Sequence, residues 1–168
     1  MLEKGSRFQF INWSQYFYVG GINMKFNRLI ISTVVLARYM VKLKDAGENP
    51  AYTYPDIPGT VFMQYSEKGK TFFTILSMED YKRIKSEYWS GTNNYVSTHR
   101  NGKTIYLHRE LCPALQKGQF VHHRGSKFNN NTGMVEAVVP KDHDQHRTYC
   151  GDLLVDVDGS GELVLSVK

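Results

Sequence analysis

The chain has 168 residues, enough for one domain with a real core, or for a compact domain plus an N-terminal attachment. Hydrophobic content of 41% and charged content of 22% suit a globular protein, while two cysteines without a CxxC pair argue against a thiolate zinc site or a disulfide framework. The net charge of +5 and pI near 9.1 lean towards an anionic partner, and the most apolar stretch, Leu29–Val41, is too short to span a bilayer and is interrupted by Arg38.

Residues 1–24 are aromatic and irregular and suggest no element; residues 1–23 lack the layout of a secretory signal, so a reducing, cytoplasmic setting is expected. The pattern from Asn27 to Leu43 reads as a helix closed by Gly47 and Pro50. Pro50, Pro55 and Pro58 make Glu48–Gly59 a loop or linker, with a domain boundary near residue 58. Beyond it, Thr60–Tyr65 and Thr71–Leu76 form a hairpin, and Ser77 caps a helix running to about Trp89, with Glu79 and Asp80 in its first turn.

Tyr95–Arg100 and Lys103–His108 form the clearest hairpin, because the Asn101-Gly102 pair supplies the positive φ angles of a two-residue turn. Leu111–Lys117 reads as a short helix or turn, and Phe120-Val121 as a strand entering His122-His123. A polar loop at Arg124–Gly133 leads to a strand at Met134–Val139, then to a helix opened by Pro140. Residues 153–167 form a last hairpin turning at Asp158–Gly161. From Asp156 as first ligand, the twelfth position is Val167 where a calcium loop needs glutamate, which argues against calcium.

The chemistry concentrates between His122 and His146. A strand ending in two histidines, a loop with Asn129, Asn130 and Asn131, a second strand, and a helix start carrying His143 could bring His143 towards the histidine pair. Adjacent strand residues point to opposite sides, so one of the pair can face the helix as a metal ligand. Two imidazoles leave most of a metal's coordination sphere to water and phosphate oxygens, as metal-assisted hydrolysis requires.

The segment from Ser77 to Arg147, under half of the chain, resembles the HNH endonucleases of phage and bacteria, including their homing members. The resemblance rests on Asn101-Gly102-Lys103, Leu107-His108-Arg109, Val121-His122-His123, Asn129-Asn130 and His143. It implies an α+β fold: a ββα-metal core (about residues 95–150) within a strand-rich nuclease domain at 59–168, preceded by an N-terminal segment at 1–58. It implies a DNA endonuclease with His122 and His143 holding one divalent metal, Mg²⁺ foremost, with Mn²⁺, Ni²⁺ or Zn²⁺ compatible with imidazole. His123 is then the general base, since a neutral imidazole with a pKa of about 6.5 accepts a proton near pH 7.

The family's middle asparagine stands just before the second strand. Here that position is Met134, so orienting the base falls to Asn131 or Asn130. His146 is a further candidate for the metal or a phosphate, and His108 for a packing role. Arg109, Arg124, Lys127, Lys141 and Arg147 are candidate phosphate contacts, and Arg100 and Lys103 at a hairpin tip could enter a DNA groove. One such site cuts one strand, so a double-strand cut needs a homodimer or two nicks. Two other readings remain open: a nucleic-acid-binding protein with a decayed HNH site, and an unrelated β-rich binding protein whose histidines are incidental. None of the three involves a membrane.

Overall fold

The computed structural model describes residues 17–19, 22–112, 114–139 and 149–168. It opens with β1 (Phe17–Val19), β2 (Ile22–Met24), β3 (Leu29–Ile31), α1 (Thr33–Tyr39), β4 (Val41–Lys42) and β5 (Ala51–Thr53). The long strands β6 (Thr60–Glu67) and β7 (Lys70–Ser77) lead into α2 (Met78–Ile84), β8 (Ser90–Thr92), β9 (Tyr95–Arg100), β10 (Lys103–Tyr106) and α3 (Leu107–Leu111). β11 (Phe120–His123), β12 (Val135–Val138), β13 (Leu153–Val157) and β14 (Leu163–Val167) complete it.

A seven-stranded mixed sheet, ordered β14-β13-β3-β7-β6-β5-β4, dominates the described residues; β13 and β3 run parallel and the other pairs antiparallel. β6 and β7 read as nearly unbroken apolar runs because both faces of the sheet are covered. One face carries Phe62, Phe73 and Ile75 against Phe26, Val35 and Phe128; the other carries Val61, Met63, Phe72 and Leu76 against Tyr81, Ile84, Trp89 and Leu107. Two two-stranded sheets, β1-β2 and β11-β12, and a three-stranded sheet, β10-β9-β8, complete the described strands.

This architecture corrects the expected α+β fold built on a ββα-metal core. Among the described residues the α-helices are three, of five to seven residues, and the organising element is the seven-stranded sheet. The expected boundary near residue 58 falls between β5 and β6, which are neighbours in that sheet.

Other expectations shift for local reasons. The helix read over Asn27–Leu43 is strand, helix and strand: Leu29-Ile30-Ile31 pairs with β13, and Ser32 Oγ caps a short α1 by accepting from Val35 N at 3.3 Å. β5 lies inside the proline-rich loop. Ser77 caps α2 as expected, accepting from Asp80 N at 3.0 Å, but α2 stops at Ile84. Trp89 instead folds back, its indole N–H donating to Ile84 O at 2.9 Å and its backbone N–H to Asn49 Oδ1 at 2.8 Å. The strand β8 was not anticipated, whereas the Asn101-Gly102 turn has the expected positive φ angles of 52° and 74°. The helix expected from Pro140 lies outside the described residues.

Candidate functional site

β7 makes only one ladder pairing with β3, Leu29↔Phe73, so the edge of β7 beyond it must be satisfied elsewhere. The loop after β11 does this. Ile75 N–H donates to Phe128 O at 2.9 Å, Asn130 N–H donates to Ile75 O at 3.0 Å, and Ile75 and Asn129 form a parallel bridge. A second tie comes from Asp80, 4% exposed, whose Oδ2 accepts from Thr132 N at 3.1 Å and Thr132 Oγ1 at 2.6 Å. The asparagine run is therefore fastened to the main sheet and to the first turn of α2.

Within this frame a chain of buried polar groups reaches His123. Thr74 Oγ1 donates to Phe128 O at 2.9 Å, so its hydrogen is committed and its lone pair accepts from Asn130 Nδ2 at 2.8 Å. That orients the Asn130 amide with Oδ1 towards His123, whose Nε2 lies 2.9 Å away. An amide oxygen only accepts, so His123 Nε2 carries the proton, and Nδ1 is the basic nitrogen of the neutral ring. Thr74, His123 and Asn130 are 0%, 4% and 2% exposed. Asn130, not Asn131, is thus the residue that orients His123; Asn131 Oδ1 is buried with no hydrogen-bond partner among the described residues.

The two histidines lie on opposite sides of β11, as strand geometry demands. His123 shares the buried side with Val121 and Val135 and meets a ring cluster: the His108 ring is 5.1 Å and the Tyr95 ring 6.1 Å away, centroid to centroid. His108, expected to pack, also lies 4.8 Å from Tyr95 and 5.6 Å from Tyr106. His122 is half-buried on the other side and stands directly opposite Glu136 in the β11–β12 ladder. Arg124 donates to that carboxylate from Nε at 3.2 Å and from Nη2 at 3.0 Å.

Of the expected phosphate contacts, Lys103 and Arg109 are exposed. Arg100 is held by Glu87 and, at 3.1 Å, by Glu110. Lys127 lies over two rings, 4.7 Å from Tyr95 and 4.5 Å from Tyr149. His143, His146, Lys141 and Arg147 lie outside the described residues. Among the described residues no three His, Cys, Asp or Glu side chains converge as a metal-binding group.

Sequence reasoning missed Thr74, Asp80 and Glu136. A threonine inside the apolar run Phe72-Phe73-Thr74-Ile75-Leu76 was the available signal for the first, because a buried hydroxyl needs a partner. No local signal marks Asp80, which looks like an ordinary first-turn acid, or Glu136, whose position opposite His122 depends on register.

Among the described residues no helix is long and apolar enough to cross a membrane. Comparison with family models, with curated proteins and with solved structures finds no match for this chain.

Proposed function

We propose that this protein is a metal-dependent DNA endonuclease of the HNH kind, encoded by a bacterium or phage and working in the cytoplasm. In this reading it hydrolyses phosphodiester bonds with one divalent ion, Mg²⁺ foremost. The observation that carries the reading is the buried relay Phe128–Thr74–Asn130–His123, which selects one tautomer of one histidine, next in sequence to a second that faces the other side of the strand. A purely structural imidazole needs satisfied hydrogen bonds; a general base also needs a defined basic nitrogen, and the relay provides one at Nδ1.

His122, on the side of β11 opposite His123, offers an imidazole of the right chemistry for a divalent ion, together with His143. These residues would hold the ion, whose charge would neutralise that of the scissile phosphate. His123 accepts the proton of the attacking water at Nδ1, while Asn130 Oδ1 steadies the opposite nitrogen and stabilises the imidazolium that forms. Exposed Lys103 and Arg109 provide positive charge for the DNA backbone.

One observation favours the rival reading, DNA binding by a decayed site: His123 is 4% exposed and packed against His108 and Tyr95. One experiment separates the two. Supercoiled plasmid carrying a target library is incubated with the wild type or His123→Ala, in Mg²⁺, Mn²⁺ or EDTA. We expect metal-dependent nicking that falls by about 10²–10⁴-fold in the variant, the usual contribution of a general base. Metal-independent DNA binding with no nicking in any metal would leave the decayed-site reading.

A further inference from the structure

On the side of the β11–β12 ladder away from Val121 and Val135, His122 and Glu136 are directly paired residues. Directly opposed residues on one face have Cβ atoms about 4.5–5.5 Å apart, so an imidazole nitrogen and a carboxylate oxygen on such a pair can reach one ion between them. Glu136 is held ready rather than consumed. Both Arg124 bonds go to Oε2, and among the described residues Oε1 has no hydrogen-bond partner. The Glu136 side chain is 39% exposed and that of Arg124 53%, so water and a hydrated cation can approach the carboxylate.

We propose that Glu136 is a metal ligand, forming with His122 a histidine–carboxylate pair for an oxygen-preferring divalent cation, and that Arg124 is the positioning residue that orients the carboxylate. The inference deepens the nuclease reading and rests on its assignment of His122. It adds a chemical consequence. An imidazole pair favours Zn²⁺ or Ni²⁺, whereas a carboxylate shifts preference towards Mn²⁺ and Mg²⁺, which keep several waters and take one or two carboxylates. Arg124 holds Oε2 as metal-bound carboxylates are held by outer hydrogen bonds, and its exposed guanidinium can also meet a substrate phosphate.

The test is direct Mn²⁺ titration of the full chain, following loss of the free-ion EPR signal, for wild type, Glu136→Gln, His122→Ala, Arg124→Met and His123→Ala. Glu136 is on the surface, so Glu136→Gln should fold; thermal melts check this for every variant. Expected are losses of Mn²⁺ affinity of at least about ten-fold for Glu136→Gln and His122→Ala, a smaller loss for Arg124→Met, and wild-type affinity for His123→Ala. Folded Glu136→Gln binding Mn²⁺ like the wild type overturns the proposal, as does a wild type that binds none. The binding readout keeps the two ideas apart. Nicking that depends on His123 with an unchanged Glu136→Gln titration sinks only this inference, whereas Mn²⁺ loss in Glu136→Gln without any nicking supports it and sinks the nuclease.

Discussion

Inside β7, Thr74 has no exposed surface, so its hydroxyl must find both partners within the protein, and it does so by holding Phe128 and Asn130. Removing that hydroxyl frees the Asn130 amide to turn over. Thr74→Val should therefore weaken the tautomer selection at His123, and Asn130→Ala should leave the buried Nε2–H unsatisfied at a cost of about 1–3 kcal/mol. Ring ¹⁵N shifts of His123 check this: the wild type should show protonated Nε2 and unprotonated Nδ1, and Thr74→Val a tautomer mixture. A wild type protonated at Nδ1 would contradict the relay. Tyr65 is the second residue with a definite expectation. Burial, reinforced by the negative charge of Glu67, raises its phenol pKa above the ordinary 10.0. Below pH 10 both folded and unfolded chains keep the proton and the full stabilisation is present; above it the unfolded chain loses the proton first. Stability should fall as pH rises from about 10 towards the raised folded value. Denaturant midpoints across pH 9–12 should drop in the wild type and drop less in Tyr65→Phe.

Elements in this protein are short, and their ends depend on contacts more than on propensity. Asn101-Gly102 closes β9 onto β10 by local backbone chemistry alone, and that hairpin was legible in advance. α1 was legible only as part of a longer apolar run, since the same β-branched residues suit a strand, and strand partners at β13 took Leu29–Ile31 out of the helix. Gly47 shows how contacts override the local reading of a helix stop. A Cβ there would lie 1.8 Å from the Lys85 carbonyl oxygen, while Gly47 N–H donates to the Tyr81 hydroxyl at 3.1 Å and Glu48 N–H to Lys85 O at 3.1 Å. The loop before β5 thus seals the end of α2. Gly47→Ala should cost at least about 1–3 kcal/mol, as overpacking does. Urea unfolding of the purified variant measures this; unchanged stability would mean that the two backbones do not approach so closely.

At the scale of the whole molecule, distant parts of the chain complete one sheet. β3 joins β13 by a parallel pairing, and Arg28 fastens that seam, donating to Asp152 at 2.8 Å, pairing with Glu67 at 3.4 Å and covering the Phe72 ring at 4.2 Å. A chain beginning at residue 59 would lose β3, β4 and β5 together with Phe26, Leu29, Ile31, Val35, Ala51 and Tyr54 from the core. Each large buried apolar side chain is worth about 1.5–3 kcal/mol. Total stability of a domain is only about 5–15 kcal/mol. The truncated chain should therefore lack near-UV circular dichroism and cooperative melting. A cooperative melt would show that residues 59–168 fold independently, as the linker-like composition of Glu48–Gly59 suggested.

The sequence by itself determined the β6–β7 and β9–β10 hairpins, the Ser77 cap, the strands around His122-His123 and the last hairpin, because turn residues, caps and period-two patterning act over a few positions. It also singled out the histidines as the place to look for chemistry. Only the tertiary structure decided that residues 29–53 share a sheet with residues 153–167, that Asn130 rather than Asn131 holds His123, and that Glu136 stands opposite His122. Those outcomes depend on register and on which buried polar groups meet, and a polar group records its need for a partner without naming one. The pairing of β7 with both β3 and the asparagine loop is where that need was met, and it is what gives His123 its orientation.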